Sequence, residues 1–336
     1  MGNIITTLVI FAVIILIHEL GHFIAAKLSG VRVNEFSLGM GPALFRFGKG
    51  ETTYAVRLFP IGGSVSMEGE DSDSTDDRAF CNKKVWFRIL IVVAGAVMNL
   101  VLGFTILTCV SASQEHLASN IIAQIEEGSS ISASGLQVGD KILKINNRSI
   151  WVESDIVYEL TRDEDGVVDM LVERDGEKVV LDDVTFSFRD EALVIDFKVL
   201  AREKTIWNVL DYSFAKTVSI ARTVWLSFGD LITGRASVHD LAGPIGMTQV
   251  VGKVRKIGWS SVFTLAAFIT INVGIFNLLP IPALDGGRLV FLLLEVIRRG
   301  KRINPDHEAY VHLAGFAAVI LLMIIVTFND IVGLFN

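Results

Sequence analysis
Four apolar stretches set the plan of this chain: Ile4 to Leu28, Trp86 to Val110, Val262 to Leu284 and Val311 to Val332. Each reaches the roughly 20 residues that an α-helix needs to cross the hydrocarbon core of a bilayer. Between the first and second, Thr53 to Leu58 and Ser64 to Met67 alternate polar and apolar residues around the turn chemistry of Pro60 to Gly63, which predicts a β-hairpin. Backbone of that kind is tolerated at membrane depth where protein or a water-filled cavity satisfies it. Between the second and third, short β-type runs follow one another: Ile121 to Ile125, Lys141 to Ile145, Val167 to Glu173 and Val179 to Leu181. Turn signals at Glu127-Gly128, Val138-Gly139-Asp140, Asn146-Asn147 and Asp175-Gly176 separate them, and Ser154 to Thr161 reads as a short helix. Trp207 to Ile232 is amphipathic and reads as an interfacial helix rather than a fifth span. The pattern predicts a polytopic α-helical membrane protein of about four transmembrane helices, with a membrane-associated β-hairpin and an inserted β-rich domain. The expected parts are residues 1–114, a membrane part with two spans; 115–200, the β-rich domain; 201–257, an amphipathic interfacial linker; and 258–336, a membrane part with two more spans.

Composition agrees with a chain divided between lipid and water. The 336 residues are 51% hydrophobic and yet 20% charged. The first span has no Lys or Arg before it and outlasts the apolar core of a signal peptide, so it is expected to stay in the protein. Nine Lys and Arg from Lys27 to Arg88 lie between or at the edges of the first two spans, and Arg298, Arg299, Lys301 and Arg302 lie between the last two. These loops are expected in the cytoplasm. Glu115 to Lys204 carries 20 Asp and Glu against 10 Lys and Arg and fits the other side, together with both termini. Lys253, Arg255 and Lys256 stand against this orientation but are outvoted by the two loops. Two cysteines, Cys81 in a loop expected in the cytoplasm and Cys109 within a span, argue against a disulfide framework, and the net charge of −7 without an aromatic-laced basic patch argues against nucleic acid as a partner.

Chemistry enters with the run His18-Glu19-Leu20-Gly21-His22 inside the first span. Residues four apart share a helix face, so both imidazoles can reach one metal ion while Glu19 reaches a water beside it. Ionisable side chains in hydrocarbon are costly and mark functional sites. A hydrolytic zinc site needs a third protein ligand and an open position. Asn277-Leu278-Leu279-Pro280-Ile281-Pro282-Ala283-Leu284-Asp285-Gly286-Gly287 breaks the third span where its one carboxylate sits. Asp285 is the candidate ligand there; the alternative is a helix cap. His116, His239, His307 and His312 lack ligand spacing and are assigned no chemistry. If Leu28 marks the cytoplasmic end of its helix, a rise of ~1.5 Å per residue puts His18 and His22 roughly 9 to 15 Å inside, so water must reach them through a cavity.

The histidine motif, the Asn277 to Gly286 segment and an intervening domain with Ser134-Gly135-Leu136, Gly139-Asp140-Lys141-Ile142-Leu143 and Ile145-Asn146-Asn147 resemble the site-2 protease family of intramembrane zinc metalloproteases. The bacterial regulator-of-sigma-E protease branch is the nearest likeness, and the resemblance runs over nearly the whole chain. The inserted domain resembles a PDZ domain, a peptide-binding module that adds an extended strand to a sheet edge. Room for only one such domain is similar to the shorter homologues of Gram-positive bacteria. Gly243-Pro244-Ile245-Gly246 matches another recurrent family segment.

The resemblance implies one Zn2+ per chain held by His18, His22 and Asp285, with Glu19 as general base. It implies that Asn277 assists in binding substrate, and that Gly63, Val65 and Met67 belong to a hairpin edge that pairs with an extended substrate. The implied substrates are single-span membrane proteins such as anti-sigma factors, or remnant signal peptides, with an earlier site-1 protease acting on the same substrate. The implied location is the bacterial cytoplasmic membrane. Two other classes are weighed beside it: a PDZ-bearing scaffold with a structural zinc site, which would not need Glu19, and a zinc transporter, which commonly shows repeated halves.

Overall fold
The computed structural model describes residues 2–333 apart from 71, 127, 130, 132–133, 164, 190–191 and 235–242. Two units emerge, Met1–Ile106 with Thr223–Asn336, and Leu107–Arg222.

The first unit holds the long apolar helices. Among the described residues, four helices are long and apolar enough to cross a membrane: Gly2–Leu28, Val85–Ser113, Trp259–Leu278 and Asp306–Val332. We label α1 as Gly2–Leu28 and α2 as Val85–Ser113, the latter running on into the second unit. Helix α1 stops where Gly30 takes φ +68°, with the Val31 N–H on the Ala26 carbonyl and the Gly30 N–H on that of Lys27, a Schellman ending. Glycine lets the helices approach. A Cβ on Gly21 of α1 would collide with the Ala94 backbone of α2.

Two long strands, β1 (Val33–Phe47) and β2 (Thr53–Met67), fill the connection from α1 to α2. A hairpin forms here as expected, β1 with β2, but its pairing differs from the one the sequence suggested. Thr53 to Leu58 and Ser64 to Met67 do not pair with each other; Val33 to Leu38 lies between them. Its residues face Met67 to Gly63 on one side, Val33 opposite Met67 and Leu38 opposite Gly63, while Glu35 to Leu38 faces Thr53 to Val56 on the other. Phe45 to Phe47 then closes on Val56 to Tyr54. The physical reason is that Gly39, Gly41 and Pro42 break the apolar alternation of β1, and Gly39 and Gly41 take φ near +90° within it, so the long partner strand does not read as one.

The second unit is built on an antiparallel sheet. Its strands are β3 (Leu117–Ile125), β4 (Lys141–Ile145), β5 (Arg148–Ser149), β6 (Val167–Arg174), β7 (Glu177–Thr185), the short β8 (Phe188–Arg189) and β9 (Ala192–Leu193), and β10 (Phe197–Arg202). The main sheet runs β10-β3-β4-β6-β7, with β5 on β4. Asn146 and Asn147, then Asp175 and Gly176, take positive φ in the two-residue turns of the β4–β5 and β6–β7 hairpins, as their sequence asked. The turn expected at Glu127-Gly128 falls partly outside the described residues. Helix α3 (Glu153–Thr161) turns Ile156 and Leu160 into a core with Ile122, Ile142, Ile145, Val168, Met170 and Val172. Asp140, fully buried, takes a two-pronged ion pair from Arg174 and the Gln137 N–H. Helix α4 (Ile206–Thr233) begins in this unit, where Tyr212 and Lys216 reach Glu153, Ser219 reaches Asp155 and Arg222 reaches Glu159.

The rest of the chain returns to the first unit as α5 (Pro244–Ile257), α6 (Trp259–Leu278), α7 (Asp285–Ile297) and α8 (Pro305–Val332). Helix α5 did not stand out in the sequence. Its free N-terminal amides are met by Asp330 of α8, which accepts from Gly243 N and Gly246 N, and at its other end Arg255 donates to Asn3 of α1. The start of α1, all of α5 and the end of α8 therefore lie on one side of this unit. The third apolar stretch is helical only to Leu278, as Pro280 and Pro282 require.

Candidate active site
Helical spacing places His18 and His22 on one face of α1, and α2 fixes how the rings point. The Ile91 carbonyl accepts from His22 Nδ1 at 2.8 Å, so the neutral ring turns the lone pair of Nε2 away from α2. Asn99, fully buried in α2, sits 3.4 Å from His18 Nδ1. The atom facing the ring is the amide Nδ2, while Oδ1 is buried without a hydrogen-bond partner; exchanging the two ends of the amide lets Oδ1 accept from Nδ1–H and leaves Nε2 of His18 bare as well. The rings stand edge to face at 4.8 Å, and Gly95 of α2 makes room for them, since a Cβ there would strike both.

Asp285 arrives from the other direction. Leu279 leaves α6 in extended conformation, Ala283 takes φ +80°, and α7 opens at Asp285. A Cβ on Gly287 would lie 2.7 Å from the Ile281 carbonyl, so the fold-back needs glycine. Asp285 is the first helical residue, after Leu284 at the cap position, and its carboxylate is turned to the histidines. Asp285 Oδ2 lies 3.1 Å from His18 Nε2 and 3.3 Å from His22 Nε2, and the two Nε2 atoms are 3.2 Å apart.

That triangle tests the metal. Three donors at 2.0–2.1 Å from a tetrahedral zinc would be about 3.3–3.4 Å from one another, close to what the side chains adopt. Three lone pairs facing each other repel unless a cation stands among them. Among the described residues, His18, His22 and Asp285 form the one group of three or more His, Cys, Asp or Glu whose ligand atoms converge in this way. The residues present fit a zinc ion.

A cavity of about 530 Å³ opens from this point, lined by Glu19, Gly63, Ser64, Val65, Met67 and Glu70 among others. Glu19 is in the cavity wall, and a Cβ on Gly63 would lie 2.8 Å from Glu19 Cγ, so β2 passes directly over the base candidate. Glu70 joins the end of that strand to α7: one oxygen accepts from Met67 N at 3.3 Å and the other is paired with Arg288. Asn277 is half-buried near the end of α6 and does not line this cavity. His307 does not line it either, while His312 does. His239 lies outside the described residues. Sequence reasoning passed over Asn99, although a polar amide within an apolar span was the available signal.

Comparison with known proteins gives this geometry a family. A model of peptidase family M50 matches residues 6–322. A Clostridium acetobutylicum protein named as a candidate zinc metalloprotease is 39% identical over 98% of this chain and 97% of its own length. The regulator of sigma-W protease RasP of Bacillus subtilis is 30% identical over 99% of each chain, and the zinc metalloprotease RasP of Bacillus licheniformis 31% over all of both. The scaffold and transporter readings give way to a peptidase. This chain belongs to the M50, or site-2 protease, family: it is a multi-pass membrane protein and an intramembrane zinc metalloprotease.

Proposed function
We propose that the protein hydrolyses peptide bonds within the membrane-spanning segments of single-span proteins, anti-sigma factors or remnant signal peptides among them. The observation that carries this reading is the convergence of three ligand atoms at a cavity whose wall is a strand edge, in a bundle of membrane-length helices. His18, His22 and Asp285 would hold a single zinc ion, which when bound supplies Lewis acidity and brings the pKa of water toward neutrality. Glu19 accepts the proton of the attacking water and returns it to the leaving amine. A helical substrate hides its scissile carbonyls in its own hydrogen bonds, so it must unwind first. The edge from Gly63 to Met67 offers replacement hydrogen bonds at the cavity. Asn277, which does not line the cavity, is given no contact with substrate in this reading.

The basic loops orient the site toward the cytoplasm, with the β-rich PDZ-like domain and both termini outside a bacterial cytoplasmic membrane. The Bacillus subtilis relative is named a regulator of sigma-W protease, which supports a substrate class tied to sigma-factor control, such as an anti-sigma factor. An earlier protease would remove the outer domain of such a substrate first. The experiment is a comparison of membrane proteomes from cells carrying the wild type and Glu19→Gln. Single-span fragments should accumulate in the variant. Identical fragment populations would remove this substrate class.

A further inference from the structure
Asp285 is aimed by a segment that is itself under constraint. Ala283 holds φ +80°, a conformation that L side chains rarely adopt and that persists where the surroundings impose it. The surroundings here come from α8. The Ala283 N–H donates to Nδ1 of His312 at 3.0 Å, and one turn further along α8 Gly315 gives room for Pro282, against which any Cβ would collide. Because Nδ1 accepts, the neutral ring carries its proton on Nε2, 3.9 Å from Glu308 Oε1. The same ring lies 5.7 Å from that of Phe291, on the second turn of α7. His312 thus touches the chain just before Asp285 and the helix just after it.

We propose that His312 is a positioning residue for the metal centre: by accepting the Ala283 N–H it holds the left-handed turn that directs the Asp285 carboxylate at His18 and His22. This rests on Asp285 being a metal ligand. Its contact is with the backbone, so the required property is an acceptor at the place of Nδ1. Asparagine can supply one, because its Oδ1 stands at the same distance along the side chain, and leucine cannot. Glycine at position 283 would adopt the turn without strain and lessen the need for the hydrogen bond.

The test is zinc affinity of the purified full-length protein, measured with Zn2+ against a chelating dye, beside cleavage of a model transmembrane substrate. His312→Leu should weaken zinc binding by about 10- to 100-fold, the range for groups that orient ligands. His312→Asn should recover most of the loss, and Ala283→Gly added to His312→Leu should recover part of it. Zinc affinity in His312→Leu equal to wild type would overturn the proposal, as would His312→Asn no better than His312→Leu. Asp285→Asn serves as the control for the reading beneath it. If that variant binds zinc as the wild type does, the ligand assignment fails; if it loses zinc while His312→Leu keeps it, the positioning role alone fails.

Discussion
Two hydrogen bonds from one helix decide what the histidines can bind. The Ile91 carbonyl and Asn99 take up the Nδ1 side of His22 and His18, so both Nε2 atoms face Asp285 with lone pairs exposed. Replacing Asn99 with alanine should therefore leave the ligands in place but loosen one, lowering zinc affinity or activity by about 10- to 100-fold; a chelator competition that ranks the variant with wild type would remove Asn99 from the site. Asp285→Asn should lose more, because a charged oxygen donor becomes a neutral one. Metal analysis after dialysis against a mild chelator decides it, and full zinc retention would return Asp285 to a structural role. The convergence of His18, His22 and Asp285 was legible in the sequence, because the helix period brings the two histidines together and the broken span presents its one carboxylate. Asn99 and His312 were not, because each acts through one hydrogen bond whose partner lies 81 or 29 residues away.

Strand β2 passes beside Glu19 at the cavity wall. Since a Cβ at position 63 would stand 2.8 Å from Glu19 Cγ and 3.1 Å from Ile15 Cγ2, Gly63→Ala must displace either the strand or the base. Cleavage should fall on the order of 10–100-fold while bound zinc stays at wild-type level, the cost of a small misplacement at the reacting centre. Zinc lost together with activity would mean that the glycine supports the ligands instead. In the second unit, burial would raise the pKa of Asp140, but the Arg174 guanidinium and the Gln137 N–H more than offset it and hold the carboxyl below its ordinary range. The stabilisation is present above pH ~3.9 and is lost as pH falls toward the folded value. Arg174→Met should destabilise this unit at neutral pH, because it leaves the Asp140 carboxylate without its counter-charge; limited proteolysis that cuts between Glu115 and Arg202 no faster than in wild type would contradict it. Asn146-Asn147 and Asp175-Gly176 announced their hairpins because positive φ favours so few residues. Strand β1 gave no such notice: its partners are set by contacts made across the first unit, and its glycines imitate a loop.

At the scale of the whole molecule, the metal motifs and the β-rich segment belong to different stretches of the chain, which predicts that the former suffice for hydrolysis. Replacing residues 115–199 by a short flexible linker should leave cleavage of an already trimmed, single-span substrate largely intact. Cleavage of a substrate with its outer domain should rise if the segment is a steric gate, or fall if it is a docking site. A folded, zinc-loaded membrane part inactive on both would show that the segment holds the active site together. The four spans were readable from hydropathy alone because a bilayer demands about 20 apolar residues whatever the tertiary fold. The shape of the site was not, since it depends on how α2, α7 and β2 meet α1. The most direct measurement on the central claim uses purified Glu19→Gln and wild type, each with its zinc quantified, acting on a single-span substrate whose products are mapped by mass spectrometry. The account predicts equal zinc in both, a cut within the substrate's membrane segment for the wild type, and a rate at least ~100-fold lower for the variant. Cleavage by Glu19→Gln at the wild-type rate, or products that end only outside the membrane segment, would contradict it.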